Sequence, residues 1–188
     1  ERFVRPPKTL VLLIVALLVA STAASQDLRL VTSAAENDSL AVSALLAEDG
    51  VDVNAKRADG ATALLLAAHW DNVEMVKQLL KTGANVNAPD DHGVTALERA
   101  AANTSVTMTA LLLAAGADPN ASQASGMSPL MTAARTGNVH VLDALISHGA
   151  NVNAETSETR STALMWAVAA PHPDAVRLLL DAGANAEA

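Results

Sequence analysis

One phrase returns along this chain at a nearly constant step, and that step restricts the fold more than any other feature. It reads GVDVNA from Gly50, GANVNA from Gly83, GADPNA from Gly116, GANVNA from Gly149 and GANAEA from Gly183. The intervals are 33, 33, 33 and 34 residues. A second phrase keeps the same step: GATAL from Gly60, GVTAL from Gly93, GMSPL from Gly126 and RSTAL from Arg160. A catalytic motif is needed once. A period of about 20 to 50 residues marks a chain that stacks one supersecondary unit many times.

The residues between the phrases say what the unit is. Thr62 can cap a helix by offering its hydroxyl to free first-turn amides. Leu64, Ala67 and Ala68 follow at helical spacing, giving a short helix with a small-residue face. Pro129, after Ser128, takes the first helical position, where a missing N–H costs little. Asn72 restarts the chain as a second cap, and Val73, Val76, Leu79 and Leu80 form one apolar stripe. Glu74 and Lys81 suit the two ends of the helix dipole. Gly83 stops the helix in the left-handed conformation. The Asn-Val-Asn-Ala residues are expected to be extended, with Asp90 to Gly93 forming a turn toward the next cap. Neither helix hides its apolar side alone, so equivalent units must stack into one continuous core.

In length and signature the chain resembles an ankyrin-repeat protein. The similarity runs from about Asp27 to Ala188, with repeats at about 26–56, 57–89, 90–122, 123–156 and 157–188. The resemblance implies an all-α solenoid of helix-turn-helix units joined by β-turn loops. The chain departs from the family's Thr-Pro-Leu-His-x-Ala signature. Leu65, Glu98, Met131 and Met165 stand where the histidine belongs, and only Pro129 keeps the proline. These losses are expected to remove polar links between neighbouring repeats. The fourth full unit carries one extra residue in ETSETRSTAL and puts Arg160 at the turn glycine, which predicts a longer, locally rebuilt finger.

The first 25 residues are of another kind. Arg2, Arg5 and Lys8 precede the apolar run Leu10 to Ala20, and the small residues STAAS follow. This is the layout of a secretory signal peptide over 1–25, with cleavage expected near Ala24 or Ser25. The run is shorter than the roughly 20 residues that span a bilayer, so no stable membrane insertion is expected after cleavage. Removal of 1–25 leaves 9 Lys and Arg against 19 Asp and Glu, a formal charge of −10 compared with −8 for the whole chain. That balance disfavours nucleic acid, which needs cations against its phosphates, and favours a basic or neutral protein partner. There is no cysteine, so neither disulfides nor thiolate metal sites arise. A periplasmic location is expected, with an extracellular one as the alternative. The final helix, AVRLLLDAG, carries no sign of a polar cap, so further repeats are expected beyond residue 188.

No catalytic pattern is present: no Gly-x-Ser-x-Gly elbow, no phosphate loop, no His-Glu-x-x-His and no calcium loop. The five histidines form no i, i+4 pair. His140 and His148 fall at opposite ends of one predicted helix, and His69 and His92 could approach only across neighbouring loops. Asp90 and Asp91 read as solvated turn carboxylates. No cofactor, metal or catalytic residue is assigned. Aromatics are 2% of the chain, which leaves Leu, Val, Met and Ala for the core.

Binding is therefore the expected function, as a non-enzymatic protein-interaction module. The alternative is an accessory or scaffold segment of a larger secreted enzyme or assembly. The resemblance implies a concave surface built from loop tips and inner helix faces. It places the partner-binding residues at Asp59, His69, Trp70, Asp91, His92, Asn103, Met127 and Arg135. Trp70 can be an exposed anchor, since Trp is enriched in interface hot spots, or it can fold over the next repeat as packing. Trp166, at the helical position of Leu66, reads as core.

Overall fold

A computed structural model describes residues 28–186. The expected leader, residues 1–25, lies outside the described residues. Among the described residues ten helices follow one another: α1 over 28–35, α2 Ser39–Leu45, α3 Ala63–His69, α4 Val73–Lys81, α5 Ala96–Ala102, α6 Val106–Ala114, α7 Pro129–Thr136, α8 Val139–Ser147, α9 Ala163–Ala169 and α10 Pro173–Asp181. Among the described residues no strand forms; one isolated antiparallel bridge joins Lys56 and Thr62. The fold is an all-α repeat solenoid. The inner helices pack α3 on α5, α5 on α7 and α7 on α9, while α6, α8 and α10 stack behind them.

The caps fall where the sequence puts them. The hydroxyls of Thr62, Thr95, Ser128 and Thr162 accept from the amides of Leu65, Glu98, Met131 and Met165, at 3.3 to 3.4 Å. Asn72 and Ser105 cap the second helices of their units in the same way. Each such cap contributes about 1 kcal/mol. His172 makes no side-chain cap bond, and Pro173 begins α10 instead.

Small residues set the distance between inner helices. Ala67, Ala100, Ala133 and Ala167 are completely buried, and so are Ala68, Ala101 and Ala134. Leu64, Leu97, Leu130 and Leu164 interleave with them, and each buried leucine stabilises by about 1.5–3 kcal/mol. Trp166 packs against this core, as its position predicts, and its buried indole N–H finds no acceptor among the described residues. The last repeat leaves one side open. Val168 is 60% exposed at the position of buried Ala134, and Met165 is 37% exposed at that of buried Met131.

The Asn-Val-Asn-Ala segment is a turn, not an extended strand. Ala88 N donates to Asn85 O at 3.2 Å and Asn87 N to Asn85 Oδ1 at 3.0 Å. The asparagine side chain captures backbone two residues on, which closes the chain. The fourth finger is longer, as the extra residue implies. Thr156 N donates to Ser161 O, where the preceding finger closes from Gln123 N to Met127 O. Arg160 keeps the positive φ of the glycine it replaces, at +53°. Its guanidinium holds Glu155 through two bonds of 2.7 and 3.1 Å, and the Thr156, Thr159 and Ser161 hydroxyls form a chain beside it.

Candidate interaction surface

The repeated phrase does more than end a helix. The asparagine at its fifth position clamps each repeat to the next. Asn87 Nδ2 donates to Gly116 O at 3.0 Å, and its Oδ1 accepts from Asp118 N at 2.8 Å. Asn120 does the same with Gly149 O and Asn151 N, and Asn153 with Gly183 O and Asn185 N. Asn54 repeats the pattern toward Gly83 and Asn85. Asparagine suits the task because its amide carries both a donor and an acceptor.

The fingers are stitched as well. Asp91 N donates to Asp59 O, Ala124 N to His92 O and Ser157 N to Ser125 O, at 2.9 to 3.1 Å. This close approach requires the turn glycine. A Cβ on Gly126, at φ +81°, would stand 2.8 Å from Ser157 N. The finger tips Asp59, Asp91 and His92 thus project from a row whose backbone is already tied. Asp59 also faces Arg57 at 3.4 Å and accepts from Ala61 N. Met127 sits where Ala61 and Val94 are buried in their own repeats, and it packs partly against the core.

The inner helices end in a third set of ties. Trp70 Nε1 donates to Ala35 O at 3.0 Å. One repeat later, Asn103 Nδ2 donates to Ala68 O and His69 O at 3.1 and 3.0 Å. Both side chains close the helix C-terminus of the repeat before. Trp70 is thus part of the packing between repeats and is also half exposed. Its N–H is anchored in the stack, its ring meets His69 edge-on at 5.2 Å, and 49% of the residue stays exposed. His69 and Arg135 are exposed on the same inner layer. Of the eight expected site residues, His69, Trp70, Asn103 and Arg135 gather on the inner helices. Asp59, Asp91, His92 and Met127 gather on the finger row.

Glu98 was legible only as a missing histidine. It is 5% exposed, and it restores a polar link across the seam between repeats. Its Oε1 accepts from Thr132 Oγ1 at 2.5 Å and from Gln123 Nε2 at 3.1 Å. Its Oε2 is buried without a partner among the described residues. Burial raises its pKa, against the bonds from Thr132 and Gln123 and the charges of Arg99 and Arg135. The expected loss of polar links holds at Leu65 and Met131, but not at Glu98 or along the asparagine clamps.

Chemically this is a surface of fixed loops and short side chains. Among the described residues, no group of three or more His, Cys, Asp or Glu is placed to hold a metal ion. No helix among them is long and apolar enough to cross a membrane. No curated protein matches the chain in sequence. A family model, Ankyrin repeats (3 copies), matches residues 30–123 and 110–188, which together take in most of its length. With helix pairs, turn glycines and finger row all keeping that period, the chain belongs to the ankyrin-repeat family.

Proposed function

We propose that this protein is a non-enzymatic binding module that presents the inner helices and finger tips as one rigid concave surface to a protein partner. Ankyrin repeats are generally protein-interaction modules. The observation that carries the reading is the stitching of every finger to its neighbour, from Asp59 through His92 to Ser125. Loops held before contact lose little ordering entropy on binding, and that saving appears as affinity. The leader-like residues 1–25 support a secreted, periplasmic site of action.

The test is affinity capture from a periplasmic extract with three forms of the chain. Ala102→Trp obstructs the inner face of α5, and Lys81→Trp alters the outer helix α4. A protein held by the wild type and Lys81→Trp, but lost with Ala102→Trp, supports the reading. Retention by all three forms, or by none, removes it.

A second reading is a scaffold segment within a larger assembly. The exposed apolar side chains of Met165 and Val168 on α9 and Leu180 on α10 favour it.

A further inference from the structure

The two ends of the described stack are open in complementary ways. Within the stack, each repeat turns one side to the repeat that follows. Glu98 on α5 marks that side, since its carboxylate accepts from Thr132 on α7. Met165 on α9 holds the position of Glu98 in the last repeat, and Val168 lies one turn further along the same helix face. Their counterparts on α7, Met131 and Ala134, are completely buried, whereas Met165 and Val168 are exposed. On the outer helix α10, Leu180 is 44% exposed, where its counterpart Leu113 on α6 is 5% exposed. The last repeat thus presents the apolar side that α5 and α7 hide against the helices after them.

The first repeat presents the reverse side. Its ties to the second repeat run through Asn37, Ser39 and Ser43, which meet Asn72 and Gln78. Away from these residues, α1 and α2 enclose a groove of about 470 Å³, with Leu28, Ala41, Ala44 and Leu45 as its apolar lining. Leu40 lies one turn before Ala44 on the same helix face and is 85% exposed. The polar lining is largely satisfied: Thr32 donates to Leu28 O at 2.7 Å, and Arg29 pairs with Glu48 at 3.3 Å. Covering the groove therefore strands neither charge of that pair.

We propose that copies of this chain stack head to tail, with Met165 and Val168 of one copy set against the α1–α2 groove of the next. The contact continues the one by which repeats of a single chain already support each other. It is directional, because a forward side meets a reverse side, and so it does not close on itself. Two short helices on each side make a small interface, and assembly should depend steeply on protein concentration.

The experiment follows the mass of the full chain by sedimentation over a range of concentrations. The wild type should climb past a dimer, as an open contact requires. Val168→Asp blocks the tail and Leu40→Asp the head. Both side chains are exposed, so the helical signal should be kept. Each variant alone should stay monomeric. An equal mixture of the two should reach a dimer and stop there, because one complementary pair of sides remains. A monomeric wild type or a monomeric mixture overturns the proposal. So does self-association of either Asp variant alone, or of the chain carrying both substitutions, which would place the contact elsewhere, as in the apolar run Leu10 to Ala20. If an Asp variant loses its helical signal, Val168→Thr and Leu40→Ser take its place. Each should raise the concentration at which mass climbs by about threefold or more, and an unchanged concentration overturns the proposal. Ala102→Trp, on α5 between the two ends, should leave the assembly as it is, so the concave surface and the stacking can fail separately.

Discussion

The Thr132 hydroxyl donates to the Glu98 carboxylate at 2.5 Å, bridging α7 and α5 across a repeat seam. The bond sits in a site where burial disfavours the charged carboxylate, so the folded-state pKa lies above the ordinary 4.5. Between those two values the native state binds more protons than the unfolded chain. Stability from this group is therefore complete below the unfolded pKa and is lost as pH rises through the folded one. Glu98→Gln removes that dependence. The variant should gain on the wild type between acid and neutral pH, read as the difference in urea midpoint at both ends. A constant difference would show that Glu98 titrates normally.

The asparagine clamps predict a graded series. Asn87→Ala deletes two hydrogen bonds to the next repeat, to Gly116 O and from Asp118 N. The expected cost is about 1–3 kcal/mol in chemical unfolding. Asn87→Asp keeps the acceptor for Asp118 N and loses only the donor, so its cost should be near half. Equal costs would mean that the side chain matters for the turn rather than for the seam.

Thr109 offers the opposite sign. It is fully buried on α6, and its hydroxyl has no partner among the described residues. Val76 and Leu142 hold the same place in neighbouring repeats and are also fully buried. Thr109→Val exchanges an unsatisfied hydroxyl for a methyl of similar size. It should stabilise by about 1 kcal/mol, seen as a raised unfolding midpoint. A loss of stability would mean that an ordered water satisfies the hydroxyl.

How much of this could be read beforehand depended on the distance between partners. Helices, caps and stop glycines are local events, and Thr62, Asn72 and Gly83 announced them within a few residues. The clamp at Asn87 was visible as punctuation only, because its partners lie 29 and 31 residues away. Glu98 read as a lost histidine for the same reason, since Thr132 is 34 residues on. Of the surface residues, Asn103 and Met127 looked free because a single helix or finger does not reveal what the neighbouring repeat covers. Arg160 is the reverse case. Its substitution for glycine was plain, but the pairing with Glu155 that holds it needed coordinates.

Trp70 is tied into the stack and half exposed, and two substitutions separate a packing role from the proposed recognition role. Trp70→Phe keeps an aromatic ring beside His69 and removes the N–H that reaches Ala35 O at the end of α1. A lost hydrogen bond of this kind costs about 1 kcal/mol, and the effect should be local. Amide exchange in α1 should quicken while exchange in α7 is unchanged, because each repeat is supported mainly by its neighbours. Trp70→Ala removes the ring as well. If the exposed half of the indole is an anchor, Trp70→Ala weakens partner capture far more than Trp70→Phe does, and both keep their helical signal. Should the two variants lose partner and α1 protection in proportion, the ring serves the stack alone and the anchor lies elsewhere on the inner layer.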